Sequence, residues 1–206
     1  MNVLFLGPHP DDIELSCLGV FFKHQKRGDN IFYIVMSDCE NLERNKNLMK
    51  EHEQIVQILN PYFHKLLHLP NTRLYEIKNR EIIRKEFENL RDNKKIDLVY
   101  SPWIHDINQD HSTIAEEATR VFRYRSIIQY EVLNSCPHFE SNFFVEISEH
   151  QFKKKLEILK LYKSQQQLEY FYPETIESAM RFRGCQVRYK YAEAFFIWRI
   201  QGFFIE

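Results

Sequence analysis

Short apolar runs alternate with longer amphipathic stretches over the first two-thirds of the chain. The apolar runs are typical of strands covered on both faces of a sheet, and they predict strands at residues 3–6, 31–36, 65–69 and 96–100. Apolar side chains at helical spacing predict helices at residues 11–27, 45–59, 75–93, 111–122 and 152–166. Later strands are predicted at residues 127–133, 143–147 and 194–200. This alternation indicates an α/β fold, with a mostly parallel sheet and helices on both faces.

Length and composition favour a single domain over residues 1–206. A chain of 206 residues is long enough for one sizeable core and short for two, and 44% of its residues are hydrophobic. Neither a repeat nor a linker segment divides the sequence. The run Lys153-Lys154-Lys155 is expected to form the solvated face of an amphipathic helix.

Charge and cysteine content limit which partners and which cellular compartment are expected for the protein. A formal net charge of −1 gives no electrostatic case for binding nucleic acid or an anionic membrane surface. Four cysteines without a C-x-x-C pair favour a reducing compartment over a disulfide framework. The sequence contains neither a recognisable signal peptide nor an uncharged apolar stretch of about 18 residues. A cytoplasmic protein without a membrane partner is therefore expected.

Polar side chains follow three of the predicted strands at the point where each strand ends. They are His9-Pro10-Asp11-Asp12, Ser37-Asp38 and the segment 106–111. Because the ligand sites of parallel α/β sheets lie at the carboxyl ends of strands, we expect these side chains to converge on one rim. The sequence therefore predicts a chemical site there.

Two histidines and one carboxylate on this rim, His9, Asp12 and His111, form a set that can hold a metal ion. Such a set leaves one position open for water, as a catalytic zinc requires. Zinc lowers the pKa of bound water toward about 7 and polarises a carbonyl. Asp11 is then placed to accept a proton and return it to a leaving amine, which implies hydrolysis of an amide or related acyl bond. The structural alternative is that Asp11 or Asp12 caps a helix and that His111 begins another.

Three motifs along the chain match one known family in order and spacing. They are Pro8-His9-Pro10-Asp11-Asp12-Ile13-Glu14 with Gly19 five residues on, then Pro102, Asp106 and Asp110-His111, and finally Tyr191-Ala192-Glu193-Ala194-Phe195. Together they resemble the signature of the zinc-dependent N-deacetylases called the LmbE-like or PIG-L family. The resemblance spans nearly the whole chain.

The resemblance implies a Rossmann-like fold, with zinc bound by His9, Asp12 and His111 and with Asp11 as the general base. Asp110 matches a carboxylate that orients a histidine and tunes its charge. The implied substrates are N-acetylglucosaminyl compounds, which lose acetate to leave a free amine. Iron(II) would suit the same two-histidine, one-carboxylate ligand set.

The sequence departs from the family pattern at two positions that bear on catalysis and on the substrate. Asn108 replaces the first histidine of the family's His-x-Asp-His motif. An asparagine can donate a hydrogen bond to an oxyanion but cannot give up a proton, so Asp11 would serve as both base and acid. The arginine that commonly begins the family's second helix is not clearly present, because Leu48 stands in its place and Arg44 lies one turn away.

Asp38, Tyr191 and Glu193 are further candidates for substrate binding. Alternatively, Asp38 is a turn residue at a strand end, Tyr191 packs in a strand, and Glu193 is a buried hydrogen-bond partner. The aromatic segment Tyr170-Phe171-Tyr172 also has two interpretations, as the wall of a sugar pocket or as part of the core.

These features predict a zinc-dependent hydrolase that removes an N-acyl group, most simply N-acetyl, from an amino sugar or a sugar conjugate. One alternative is hydrolysis of another amide in natural-product or surface-glycan maturation. Another is a non-catalytic metal- or sugar-binding relative, an interpretation that Asn108 favours. The expected partner is a small molecule or sugar conjugate, and a symmetric homo-oligomer is left open.

Overall fold

The computed structural model describes residues 1–40 and 42–202, and its strands form one seven-stranded sheet. In chain order they are β1 (Asn2–Gly7), β2 (Asn30–Ser37), β3 (Phe63–Leu69), β4 (Leu98–Pro102), β5 (Ser126–Tyr130), β6 (Phe143–Glu146) and β7 (Ala192–Arg199). Their order across the sheet is β3-β2-β1-β4-β5-β7-β6. The first five strands pair in parallel, and β7 pairs antiparallel with both β5 and β6. The predicted α/β fold with a mostly parallel sheet is confirmed.

Helices cover both faces of this sheet, as the continuous apolar strands require. They are α1 (Asp12–Arg27), α2 (Leu48–Leu59), α3 (Ile77–Lys94), α4 (Gln109–Val121), α5 (Glu149–Leu159) and α6 (Pro173–Cys185). Side chains of β1 alternate between two cores: Val3 and Phe5 pack with α1, α2, α5 and α6, whereas Leu4 and Leu6 pack with α3 and α4. Every second residue of a strand faces the same side, so a strand buried on both faces must be apolar throughout.

The chain changes direction in the sheet between β1 and β4, and this change creates the crevice for a site. From β1 the chain steps outward to β2 and β3, and then returns to place β4 on the other side of β1. The carboxyl ends of β1 and β4 are therefore neighbours, and the turn after each strand opens into the gap between them. Such a switch point is where open α/β sheets bind ligands.

The second half of the chain differs from the prediction at two helices. The helix predicted at residues 152–166 begins earlier, because Ser148 and Gln151 form a capping box at its start, and it ends at Leu159. The sequence does not predict α6, although Pro173 stands at its first position. Only Ile176, Met180 and Gly184 of α6 are buried, so its apolar stripe is too sparse to signal a helix.

Lys155 corrects the expectation that the lysine run is a solvated face. Its side chain is only 1% exposed, and its Nζ donates to Glu193 Oε1 at 2.8 Å. The same carboxylate accepts the backbone N–H groups of Gly19 (2.8 Å) and Val20 (2.9 Å) in the middle of α1. A Cβ at Gly19 would lie 2.3 Å from Ile147 Cδ1 and 2.9 Å from Glu193 Oε2, so only glycine lets the carboxylate come this close.

Candidate metal centre

Three ligand atoms of His9, Asp12 and His111 form a nearly equilateral triangle. His9 Nδ1 lies 3.2 Å from His111 Nε2 and 3.3 Å from Asp12 Oδ2, and the last two atoms are 3.4 Å apart. Ligands about 2.0–2.1 Å from a tetrahedral zinc ion stand roughly 3.3–3.4 Å from one another. The triangle therefore matches one face of a tetrahedral metal site whose fourth position is open. Within the described residues, this is the one group of three or more such side chains that could hold a metal.

The turns after β1 and β4 bring these side chains together. Gly7 ends β1, and a Cβ there would lie 3.1 Å from the His9 carbonyl oxygen, so the chain turns tightly. Asp12 is the first residue of α1, and its Oδ2 accepts the backbone N–H of His9 at 2.9 Å. His111 lies in the first turn of α4, where its ring reaches across the switch point. Both helices thus present ligands from their first turns.

Two further carboxylates set the tautomers of the histidine rings. Asp110 Oδ2 lies 3.1 Å from His9 Nε2, and Asp106 Oδ2 lies 2.8 Å from His111 Nδ1. A carboxylate accepts hydrogen bonds, so each of these ring nitrogens carries the proton. The lone pairs of His9 Nδ1 and His111 Nε2 then face the triangle. Ring nitrogens of metal-bound histidines are held in this way in metalloproteins generally.

Asp110 and Asp106 are themselves held by hydrogen-bond donors. Asp110 accepts the backbone N–H groups of Thr72 at 2.7 Å and Leu74 at 3.0 Å. Asp106 accepts from the Ser135 hydroxyl at 2.9 Å. Asp106 belongs to the second motif, but the sequence did not predict its role. The sequence also did not predict that the loop after β3 contributes to the site. Asn71-Thr72 follows that strand directly, so the rule for polar strand ends would have found this loop.

Asp11 adopts a backbone conformation that is unusual for a residue with a side chain. Its φ of 104° lies in the left-handed region, which is strained for residues other than glycine. Asp11 occupies the N-cap position of α1, but its side chain makes no capping hydrogen bond within the described chain, which counts against the alternative that it serves as a helix cap. Burial, followed by the charge of Asp12, raises the pKa of the Asp11 carboxyl well above its usual range. The strained turn thus presents a carboxylate of raised proton affinity beside the triangle.

Each ligand group shifts the pKa of its neighbours in the triangle. Burial lowers the pKa of His9, but hydrogen bonds with Asp110 and Asp12 outweigh it and raise that pKa well above its usual value. Burial raises the pKa of Asp12, but the facing His111 and His9 lower it overall. A cation bound by these three groups would take the place of a proton, because metal binding requires neutral imidazole and ionised carboxylate.

Asn108 lies at the N-cap of α4, and its orientation is fixed by that position. Its side-chain oxygen accepts the backbone N–H of Asp110 at 2.9 Å. The carboxamide nitrogen is then the group left to donate toward the cavity that Asn108 lines. This arrangement is compatible with the predicted hydrogen bond to an oxyanion.

A cavity of about 250 Å³ opens directly beside the triangle. Its lining combines His9, Asp11, Asp12 and His111 with amide, hydroxyl and apolar side chains. These further groups include Arg44, Asn71, Thr72, Asn108, Asn134, Gln165 and Tyr170. Arg44, which the sequence places one turn away from the position of the family's arginine, lines this cavity from the short 3₁₀ helix Glu43–Asn45.

Glu14, the last residue of the first motif, lies beneath the site. It is fully buried, and its Oε1 accepts the Tyr33 hydroxyl at 2.7 Å. Burial raises the pKa of Glu14 to about 7. From the sequence, Glu14 has no role beyond its place in the first motif.

The three weaker candidates for substrate binding lie outside this cavity. Asp38 accepts from His68 Nδ1 at 3.1 Å and from the backbone N–H of Glu40 at 3.2 Å, which is the contact pattern of a strand-end turn. Tyr191 stacks on Phe152 with ring centroids 4.2 Å apart. Glu193 is engaged by the buried Lys155 and the backbone of α1, as described above. In this structure these residues have packing and hydrogen-bonding roles.

The position of Asp106 leads to a prediction about metal affinity. We expect Asp106→Asn to weaken zinc binding by about 10–100-fold, the usual effect of losing a partner of a ligand histidine. The physical reason is that an amide at this position can donate to His111 Nδ1, which would move the ring proton onto the nitrogen facing the triangle. Calorimetric titration of zinc into the metal-free protein measures the effect. Asp38→Asn, at another strand end, is the control, and equal affinities for the two variants would contradict the tautomer argument.

Fold and site together define an α/β protein with a two-histidine, one-carboxylate set at its switch point that could hold a metal ion. The chain belongs to the PIG-L family, because the family model described as GlcNAc-PI de-N-acetylase matches residues 4–122. This is a family of deacetylases, which are hydrolases acting on amides. Membership agrees with the resemblance noted in the motifs.

Three individual proteins show how far the similarity extends. A protein of Escherichia coli (strain K12), described as the uncharacterized deacetylase YaiS, is 27% identical over 175 residues, covering 79% of this chain and 91% of the relative. The N,N'-diacetylchitobiose deacetylase from Pyrococcus horikoshii superposes with a TM-score of 0.79 at 20% identity, covering 98% of this chain and 87% of that one. GalB, the 4-carboxy-2-hydroxymuconate hydratase from Pseudomonas putida KT2440, gives a TM-score of 0.81 at 14% identity, covering 100% and 99%. At these identities the structural likeness shows the fold alone.

No helix in the described part of the chain is long and apolar enough to cross a bilayer.

Proposed function

We propose that this protein is a zinc-dependent N-deacetylase that removes an acetyl group from an amino sugar or sugar conjugate. The observation that carries the proposal is the pairing of the ligand triangle with the neighbouring Asp11 carboxylate, which caps no helix. A metal centre alone would need only His9, Asp12 and His111. A second, strained carboxylate beside an open coordination position is what hydrolysis adds.

Different residues of this chain perform different steps of amide hydrolysis. A divalent ion held by the triangle would supply a Lewis acid and lower the pKa of a water molecule. The Asp11 carboxylate accepts the proton of the attacking water and later passes it to the nitrogen of the leaving amine. The amide nitrogen of Asn108 donates to the carbonyl oxygen as negative charge develops there. Water is consumed, the C–N bond breaks, and acetate and a free amine leave.

The dimensions and chemistry of the cavity suit one sugar ring with its acetamide. Its volume of about 250 Å³ is at the small end for a ligand pocket, for which roughly 300–1,000 Å³ is usual. Amide and hydroxyl side chains in the lining can hydrogen-bond to sugar hydroxyls. The family description and the chitobiose deacetylase support the same substrate class. Any larger conjugate would extend outside the cavity.

Zinc is the proposed ion, and iron(II) is the competitor that the ligand types allow. The spacing of the triangle favours a tetrahedral ion, which is the usual geometry of zinc.

Removal and return of the metal test the proposed function. We expect treatment with a chelator to lower acetate release from N-acetylglucosamine compounds by at least about 100-fold, because it removes both the Lewis acid and the source of activated water. Zinc added back should restore the activity, and iron(II) added without oxygen is the comparison. Acetate and free amine are measured together, since true hydrolysis releases them in equal amounts. Equal activity with and without metal, or no release from any acetylated amine, would overturn the proposal.

A second candidate function is a metal-binding relative without catalysis. Asn108 favours it, because a proton-donating group is missing from the site. The strained conformation of Asp11 argues against it, because a site without chemistry gains nothing from that strain. The fold alone does not fix the reaction, since a hydratase shares it. The release assay separates the two functions: a protein that binds zinc stoichiometrically but deacetylates nothing is the non-catalytic one.

A further inference from the structure

One wall of the cavity comes from a segment outside the part of the chain that matches the family model. We name residues 163–172 the strap. It contains two short 3₁₀ helices, Lys163–Gln165 and Glu169–Phe171, and it contributes Gln165 and Tyr170 to the cavity lining. The metal ligands and Asp11 all lie within residues 4–122. The metal ligands and Asp11 therefore come from one part of the chain, and this wall of the cavity comes from another.

Side chains from α2 and from the segment before it hold the strap in place. Glu51 accepts the Ser164 hydroxyl at 2.7 Å and the Ser164 backbone N–H at 3.1 Å. Gln165 Nε2 donates to Asn45 Oδ1 at 3.0 Å. A wall tied at these points keeps its position when a ligand enters, so it can select between ligands at little entropic cost.

Within the aromatic segment of the strap, the three neighbouring rings lie in different environments. Phe171 is 2% exposed in the core, and Tyr172 is 43% exposed to solvent. Tyr170 is half-buried and lines the cavity that also holds Asp11. Each interpretation of this segment therefore holds for a different residue. Phe171 packs in the core, and Tyr170 forms part of the pocket wall.

The hydroxyl of Tyr170 differs from that of a nearby tyrosine in its hydrogen bonding. By contrast, the hydroxyl of Tyr162, just before the strap, is engaged with His52 Nδ1 at 3.0 Å. For Tyr170, residues 1–40 and 42–202 offer no hydrogen-bond partner to the hydroxyl. Burial, and then the charges of Asp11 and Asp12, raise the pKa of the Tyr170 phenol, so it remains a donor throughout the neutral range.

We propose that Tyr170 is a substrate-contacting residue of this site, whose hydroxyl donates a hydrogen bond to a ring or hydroxyl oxygen of the sugar while its ring forms the cavity wall. The inference rests on the proposed deacetylase function and deepens it, because it assigns substrate selection to the strap. A polyhydroxylated ring offers acceptors away from the acetamide, whereas the alkyl group of an acetylated alkylamine offers none. The strap should therefore favour acetylated sugars over simple acetamides of similar size.

The matched variants Tyr170→Phe and Tyr172→Phe test this proposal. Both remove one hydroxyl from the same strap, but only Tyr170 lines the cavity. In the zinc-loaded protein we expect Tyr170→Phe to raise KM for an N-acetylglucosamine compound about 5–10-fold with kcat little changed, as loss of one hydrogen bond made equally in ground and transition states requires. Tyr172→Phe should leave both constants unchanged. Zinc stoichiometry and melting temperature should match the wild type in both variants.

The outcomes separate this inference from the proposed function. If the wild type releases acetate and Tyr170→Phe has an unchanged KM, or loses only kcat, the inference is overturned and the deacetylase function stands. If Tyr170→Phe weakens N-acetylglucosamine compounds and an acetylated alkylamine equally, the assignment to sugar recognition is overturned. If the zinc-loaded wild type releases no amine from any acetylated compound, the proposed function is overturned and this inference falls with it.

Discussion

Replacing Asp11 with asparagine is expected to lower kcat for deacetylation by about 10³-fold while leaving the metal bound. General acid–base catalysis by a positioned side chain contributes typically about 10²–10⁴-fold, and Asp11 is asked to perform both proton transfers here. Asparagine has nearly the same size and tolerates the left-handed backbone conformation that this turn requires. It also removes a buried charge beside Asp12, so the fold should lose no stability. Activity and stability are therefore expected to separate.

Steady-state kinetics, zinc analysis and thermal unfolding measured on one preparation decide this prediction. Asp12→Asn is the informative contrast, because it alters a ligand and should lose zinc together with activity. The two neighbouring carboxylates then have distinguishable effects, one on the proton and one on the metal. An Asp11→Asn variant that keeps more than a tenth of the wild-type kcat would remove Asp11 from the role of base.

Lys155→Met is expected to lower the free energy of unfolding by about 3–5 kcal/mol, the usual cost of breaking a buried ion pair by removing one partner. Methionine can fill the volume of the lysine stem but cannot donate to Glu193. The carboxylate, 3% exposed, would then stay buried with only the two backbone N–H groups of α1. Those two N–H groups belong to α1, the helix that begins with Asp12. The substitution should therefore also disturb the position of this metal ligand.

Denaturant titration of matched variants isolates this pair. Lys153→Met, which alters an exposed lysine of the same run, should change stability by no more than about 0.5 kcal/mol. The double variant Lys155→Met, Glu193→Gln should recover part of the loss, because it removes the buried charge, while the single glutamine oxygen can accept from only one of the two α1 N–H groups. Equal losses for Lys153→Met and Lys155→Met would show that the buried pair contributes nothing specific.

Local patterns were enough to predict the parallel half of the molecule and the position of its site. The continuous apolar runs at β1, β2 and β4 indicate burial on both faces, and that in turn indicates parallel strands whose carboxyl ends share one rim. His9, Asp12 and His111 could be grouped because each follows a strand end or begins a helix. This grouping needed only the order of elements along the chain.

Features that depend on long-range packing could not be predicted in this way. Lys155 looks like its neighbours in the lysine run, and what distinguishes it is a carboxylate 38 residues away that reaches it only in the folded chain. The insertion of β7 between β5 and β6 is likewise invisible to periodicity, since either edge order buries the same residues. The sequence pattern also does not show which of the adjacent aromatic residues Tyr170 and Phe171 faces the core and which faces the cavity.

Asp11 shows a different kind of failure, in which a sound local preference is overridden. Aspartate is a favoured N-cap, and residue 11 does occupy the N-cap position of α1. Its left-handed backbone nevertheless turns the side chain away from the helix. Departures from local preference concentrate at functional positions, so a favourable residue in an unfavourable conformation is itself a sign of function.

The two turns that carry the metal ligands stand side by side, although His9 and His111 are 102 residues apart in the chain. An ion bound between them would therefore act as a reversible cross-link that closes a large loop, much as a disulfide does, but one that can form in a reducing compartment. Occupancy of the centre and resistance to unfolding would rise together by mass action. Because the bound ion stabilises the folded state, the protein would then retain its ion even when no substrate is present.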